Sequence, residues 1–260
     1  VDTRLFQLAG EKDDSNRYPF AVMVKTRAPM EAGVQGECSG VLISPNLVLT
    51  AGHCVCVRRK GVTPDSEARF VIDGSACSEK AAVVVVNYEK SAGQRGAVLT
   101  TRTQLVRGDV RPHPKLQVVV DSQGKVVSSE ADLATVVLSQ RVEGTDVPRL
   151  AEVEAKEGEI VVVVSYGYDE VLGGLEGQRR FKAFKAVRVL SSEPGQFVFE
   201  QPDRGLFKGD SGGPVLVVHE GKSRLGGIST AALGEEATFV STYFHRDWIA
   251  AELERARRLE

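Results

Sequence analysis

Apolar residues in this chain gather in short runs, many of them rich in valine and closed off by Gly, Pro, Asn, Asp or Ser. Such runs predict strands at 20–26, 40–43, 47–50, 69–72, 81–89 and 97–106. A hairpin follows in KLQVVVDSQGKVVSS, turning at Asp121-Ser122-Gln123-Gly124. Beyond it the pattern predicts strands at 133–138, 159–166, 181–190, 196–200, 214–219, 224–230 and 237–242. Valine stretches at 83–86, 118–120 and 161–164 weigh further towards strand, because β-branched side chains suit a pleated surface. One segment differs. Phe244, Trp248, Ile249 and Leu253 fall on one helical face, and Arg255, Arg257 and Arg258 follow where cations suit a helix dipole, so a helix is expected over 244–258. Short strands at this density, without helical patterns between them, read as all-β barrels or sandwiches. The polar stretch 139–159 is the best boundary between two such units.

A length of 260 residues accommodates one or two domains. Hydrophobic residues at 42% and charged ones at 26% are ordinary globular values and exclude a disordered chain. The formal charge of −2 gives no electrostatic reason for a nucleic-acid or membrane-surface partner. No apolar stretch approaches the roughly 20 residues that span a bilayer. No charged-then-apolar leader opens the sequence, so a signal peptide is expected to have been removed or never present. Four cysteines, Cys38, Cys54, Cys56 and Cys77, lie in the first third. Their even count points to pairing, with three connectivities open, and disulfides imply an oxidising compartment; buried free thiols are the alternative. One Cys-x-Cys spacing without a second such pair argues against zinc.

Candidate chemistry begins with LFKGDSGGPVLVV, where Ser211 stands among glycines directly before an apolar strand. A serine hydroxyl is a weak nucleophile until a base takes its proton. Of His53, His113, His219 and His245, His53 is set apart by CSGVLISPNLVLTAGHCVC, in which an apolar strand delivers a small Ala51-Gly52 pair and then the ring. Such a base needs an acceptor to fix its tautomer, and Asp132 leads the apolar strand of ADLATVVL, where a carboxylate is otherwise out of place. The other three histidines read as structural. HEGKS at 219–223 lacks the second histidine of a zinc protease, and GKS at 221–223 lacks the leading glycine of a phosphate loop, where Leu216 stands. Arg58-Arg59-Lys60 read as solvated loop charges.

CSGVLISPNLVLTAGHC, DLATVVL and KGDSGGP, in that order, resemble the three catalytic segments of the chymotrypsin/trypsin-like serine proteases. Weaker matches are YPFAVMV near the start, HP at 113–114, GGIST at 226–230 and the terminal DWI. The resemblance implies an all-β fold of two packed six-stranded antiparallel β-barrels with a C-terminal α-helix. It divides the chain into an N-terminal segment 1–17, a first barrel 18–140 with His53 and Asp132, a second barrel 141–243 with Ser211, and a helix 244–260. It implies peptide-bond hydrolysis by Ser211 with His53 and Asp132, an oxyanion hole from the N–H groups of Gly209 and Ser211, and no cofactor or metal. It also implies that Cys38 pairs with Cys54, leaving Cys56 and Cys77 either paired or as two free thiols. Gly205, Leu206, Lys208, Ser229, Thr230 and Ala231 become the expected substrate contacts, the last three adding the substrate backbone as a strand.

Three departures bear on function. The Ile-Val-Gly-Gly of an activated family amino terminus has only Leu8-Ala9-Gly10 as its counterpart, which bears on Asp210, the family's partner for that terminus. A cysteine that braces the specificity pocket in many relatives is replaced by Phe207. Room for inserted loops appears around 57–80 and 87–96. Gly205 stands where trypsin carries its specificity aspartate, so a buried Arg or Lys would lack a counter-charge; Leu206 and Ala231 point to a modest apolar pocket. The reading is therefore a secreted or periplasmic serine endopeptidase acting on proteins or peptides, with a monomer favoured but the oligomeric state left open, and with an activating protease or partner protein as a further expectation. The alternatives are a latent or non-catalytic protein-binding module on the same fold and, for compartment, the cytoplasm.

Overall fold

Strands of the first half that are buried along nearly their whole length build an antiparallel sheet that closes on itself. The computed structural model describes residues 10–26, 36–61, 69–93, 96–123, 125–167, 178–184, 187–189, 194–199, 210–219, 221–230 and 237–259. In chain order the strands begin with β1 (Glu11–Lys12), β2 (Ala21–Thr26), β3 (Gly36–Ser44) and β4 (Leu47–Thr50). Next come β5 (Arg59–Gly61), β6 (Arg69–Asp73), β7 (Lys80–Gly93) and β8 (Gly96–Pro112), then β9 (Gln117–Val120), β10 (Val126–Glu130) and β11 (Ala134–Leu138). The second half holds β12 (Val161–Ser165), β13 (Arg180–Phe184), β14 (Val187–Val189) and β15 (Gln196–Phe199). It ends with β16 (Pro214–His219), β17 (Lys222–Ser229), β18 (Thr238–Ser241) and the helix α1 (Arg246–Arg258).

Strands β11-β4-β3-β2-β7-β8 form a closed barrel. Leu47–Thr50 is buried along its whole length, and Val83, Val85 and Val86 of the valine run are buried as well. The second half is an antiparallel sheet whose body is β13-β12-β16-β17-β18-β15, with β1 and β14 added at its edges. Among the described residues it curls as a half-barrel. Its own core is aromatic, with Phe197 stacked on Phe239 at 4.8 Å and Phe199 tilted against the same ring. A four-stranded sheet, β10-β9-β6-β5, flanks the barrel.

Several expectations need correction. The expected strand 181–190 is two strands with different partners, β13 on β12 and β14 on β15. The stretch 57–80 is not a plain inserted loop, since β5 and β6 carry it into the flanking sheet. Arg59 and Lys60, read as loop charges, lie on β5, although both stay exposed there. The room at 87–96 is the far end of the β7–β8 hairpin, paired from Lys80–Asp109 out to Gly93–Gly96. Phe244 precedes α1 and is half exposed, resting against Gly195 rather than joining the helix's buried face. That face is Ile249, Glu252 and Ala256. Thr135 Oγ1 donates to Glu252 Oε2 at 3.2 Å, and Asn46 Nδ2 donates to the Ala256 carbonyl at 2.9 Å, which seats α1 on the closed barrel.

All four cysteines are bonded, Cys38 to Cys54 and Cys56 to Cys77. The first pair is as expected, and the second settles the alternative of two free thiols. Replacing Cys38 and Cys54 together by Ser is expected to remove about 3 kcal/mol on the chain-entropy account. Differential scanning calorimetry should then record a fall in melting temperature of about 6–12 °C; an unchanged melt would contradict the tethering.

Where α1 meets the barrel, His113 lies edge-on to Trp248 at 4.6 Å and to His245 at 4.9 Å. The Lys115 N–H donates to His113 Nδ1, so the neutral ring carries its proton on Nε2. Burial, followed by the Lys115 charge, pulls His113 down to about 4 from 6.5, and burial, followed by the charges of His113 and Lys115, does likewise for His245. Unfolding frees both rings to bind protons at ordinary pH, so their contribution is complete above about 6.5 and is lost as pH falls towards 4. Melting temperature is expected to drop across that window, and less so in His245→Phe. Trp248 is the chain's one tryptophan, so its fluorescence titration reads His113 directly, with a midpoint near 4 expected and one at 6.5 contradicting the packing.

Candidate active site

Asp132 is aimed by its backbone. Ala131 before it has φ of 46°, in the left-handed region that costs an L-residue about 1–2 kcal/mol. The Leu133 N–H folds back onto the Ala131 carbonyl at 2.6 Å. This kink between β10 and β11 leaves Asp132 with no exposed surface. A buried carboxylate requires donors. Oδ1 accepts the His53 backbone N–H at 2.8 Å, and Oδ2 lies 2.7 Å from His53 Nδ1. Because a carboxylate only accepts, Nδ1 carries the proton of this pair, and Nε2 is left as the basic nitrogen of the neutral ring.

His53 is delivered by β4. The strand ends at Thr50, and a 3-10 turn at Gly52–Cys54 follows, with the Val55 N–H bonded to the Gly52 carbonyl at 3.0 Å.

Ser211 occupies a turn from Asp210 to Gly213, closed by the Gly213 N–H on the Asp210 carbonyl at 3.2 Å. Gly212 has φ of 84°, which the third position of a type II turn demands. A side chain there would also overlap the Ser39 carbonyl oxygen. The Ser39 N–H donates to the Ser211 carbonyl at 2.8 Å, and Thr50 Oγ1 donates to the Ser39 carbonyl at the same distance. Ser39 follows Cys38, Cys38 is bonded to Cys54, and Cys54 follows His53. The disulfide and β3 thus bring the Ser211 turn to the seam where His53 stands.

Asp210 is fully buried. Ser165 Oγ at 2.5 Å and the Gly167 N–H at 2.9 Å both donate to its Oδ1. A Cβ at Gly167 would overlap this carboxylate, so the close approach requires glycine.

Comparison with known proteins gives the family and the fold. The family model described as Trypsin matches residues 8–249. The chain belongs to the trypsin family. Among solved structures, a mutant of human heparin binding protein (CAP37) has a TM-score of 0.61 at 20% sequence identity, covering 94% of this chain and 96% of that one. At that identity the likeness is one of fold. No curated protein is detectably similar in sequence.

The trypsin-family residues expected around Ser211 fall into two groups. Ser229 and Thr230 are described. Ser229 lies against the turn, its N–H on the Gly213 carbonyl at 2.9 Å and its carbonyl accepting the Gly212 N–H at 2.6 Å. The Thr230 N–H is taken by the Thr238 carbonyl at 2.8 Å. A carbonyl has two lone pairs, and the Gly212 N–H takes one of those on Ser229, while both N–H groups are occupied. Ser229 Oγ is buried without a hydrogen-bond partner among the described residues. Gly205, Leu206, Lys208, Gly209 and Ala231 lie outside the described residues, as do Phe207, Leu8 and Ala9. Gly10 is described, and its carbonyl accepts Arg180 Nη1 at 3.2 Å beside the β1–β13 pairing.

Cys38, His53 and Cys54 bring ligand-type atoms within 4.8 Å of one another. Both sulfurs belong to one disulfide, so neither offers the thiolate a metal needs. No described helix is long and apolar enough to cross a membrane.

Sequence reading missed Ala131, Ser39, Ser165 and Gly167. For Ala131 no signal was available, because alanine gives no local hint of a left-handed backbone.

Proposed function

We propose that the chain is a serine endopeptidase that hydrolyses peptide bonds through an acyl-enzyme. The observation that carries this reading is the two-point hold of Asp132 on His53, through the backbone N–H and Nδ1 together. Ser211 Oγ attacks the peptide carbonyl while His53 Nε2 takes its proton. The carbonyl electron pair moves onto oxygen, where the N–H groups of Gly209 and Ser211 stabilise it. Collapse expels the amine, which receives the proton from His53, and leaves an ester on Ser211. Water, deprotonated by His53, then hydrolyses the ester and restores the serine. Asp132 stabilises the imidazolium in both halves. The Ser229 carbonyl holds the substrate backbone.

Two disulfides support a secreted or periplasmic setting, where such bonds persist. An activating protease or partner protein acting through Asp210 is part of this reading.

Gly205, Leu206 and Ala231 make the expected specificity small to medium apolar residues, favoured over Arg and Lys by at least about tenfold. Cleavage of a peptide library by wild type and Ser211→Ala tests both points. Products from wild type alone, cut after apolar residues, are expected. A profile dominated by Arg or Lys would overturn the pocket and point to a counter-charge from Asp203, Glu235 or Glu236, the carboxylates near Gly205 and Ala231 in sequence. An absence of products both before and after limited proteolysis would overturn the enzyme and favour a binding module.

A further inference from the structure

A charged pair lies buried where the two halves of the molecule meet. The side chains of Asp13 and Arg179 have no exposed surface, and Arg179 Nε donates to Asp13 Oδ2 at 2.7 Å. Buried charges persist only when their remaining hydrogen-bonding positions are filled, and here they are filled from several elements. Arg179 Nη1 donates to the Val86 carbonyl of β7 at 2.7 Å and to Tyr166 Oη at 3.2 Å. Nη2 donates to Asn16 Oδ1 at 3.0 Å. The Asp13 carboxylate accepts the N–H groups of Arg17 and Tyr18, and the Asp13 N–H donates to the Arg179 carbonyl. One guanidinium therefore ties the turn at 13–18, the long β7 strand and the end of β12 together.

Tyr166 extends this tie to Ser211. Its Oη donates to the Ala21 carbonyl at 3.0 Å, and its backbone N–H donates to Ser39 Oγ at the same distance. Ser39 is the residue whose N–H holds the Ser211 carbonyl. The neighbours of Tyr166 on either side, Ser165 and Gly167, are the two donors to Asp210 Oδ1. A displacement of Tyr166 moves both donors and the Ser39 contact together.

We infer that Arg179, paired with Asp13, is a positioning residue for the Ser211 turn, acting through Tyr166 on the cradle of Asp210. Docking of the turn at 13–18 and ordering of the reactive turn are then one event, whatever residues precede Gly10. The catalytic consequence rests on the endopeptidase reading; the coupling itself does not.

Three variants test it: Tyr166→Phe, Arg179→Met, and Asp13→Asn with Arg179→Met, which leaves no lone buried charge. Hydrogen–deuterium exchange is followed over 163–167 and 210–216, alongside kcat, KM and melting temperature. In all three, exchange is expected to quicken at both segments. In the double variant kcat should fall about 10- to 100-fold with KM within about twofold, the size of loss that follows small misplacement of reacting groups. If the double variant and Tyr166→Phe keep wild-type exchange at both segments, the inference is overturned and the pair serves stability alone. If wild type hydrolyses nothing, the endopeptidase reading fails, and the exchange data still decide the coupling. If Arg179→Met does not fold, the other two variants carry the decision.

Discussion

Ser211→Ala and His53→Ala are each expected to lower kcat/KM for a peptide substrate by about five to six orders of magnitude. The double variant should fall little further, because nucleophile and base act as a unit. Both residues are buried or nearly so, Ser211 at 1% exposure and the His53 side chain at 9%. Removing the serine hydroxyl leaves the turn's backbone bonds to Ser39, Ser229 and Asp210 intact. Ser211→Ala should therefore melt close to wild type. Steady-state kinetics with calorimetry separate the two effects, and wild-type turnover in either variant would contradict the mechanism.

Asp132→Asn is expected to cost about three to four orders of magnitude in kcat with little change in KM. The reason lies in the second hydrogen bond. An asparagine has one acceptor oxygen and one NH2 donor in place of two acceptors. The His53 backbone N–H, which Oδ1 now accepts at 2.8 Å, claims the oxygen. The NH2 must then face Nδ1, which becomes an acceptor, and the ring proton moves to Nε2. The base is disabled without any change of shape. A rate close to wild type would mean that His53 does not depend on this carboxylate for its tautomer.

These two outcomes concern residues that the sequence made legible, and the reason is local. His53, Asp132 and Ser211 each stand at the end of an apolar run, beside small residues, where a polar side chain has no packing role. Their supporting partners leave no such trace. Ser165 and Gly167 reach Asp210 across 45 and 43 residues, Ser39 reaches Tyr166 across 127, and Asp13 reaches Arg179 across 166. No periodicity reports contacts at those distances, and an arginine is by default assigned to solvent.

The fold was readable for the same reason and failed at the same kind of place. Valine-rich runs announced β7, β9 and β12, because burial and strand preference act in one direction. β1 and β5 are polar pairs and triplets whose pairing comes from their neighbours, Arg180 and Phe181 for the one, Arg69 to Val71 for the other. Phe244 fitted a helical stripe by spacing, yet the chain turns before α1 and leaves it against Gly195. The second half holds six strands in the body of its sheet, as expected, and the short edge strands β1 and β14 add to it.

The most direct test of the central claim is covalent labelling with a fluorophosphonate, followed by mass spectrometry of the digested protein. Such a probe phosphonylates a serine only when a neighbouring base has activated it. The account predicts a single adduct on the peptide carrying Ser211, absent in Ser211→Ala and greatly slowed in His53→Ala and Asp132→Asn. An unlabelled wild-type protein, or an adduct whose rate is indifferent to His53, would contradict it.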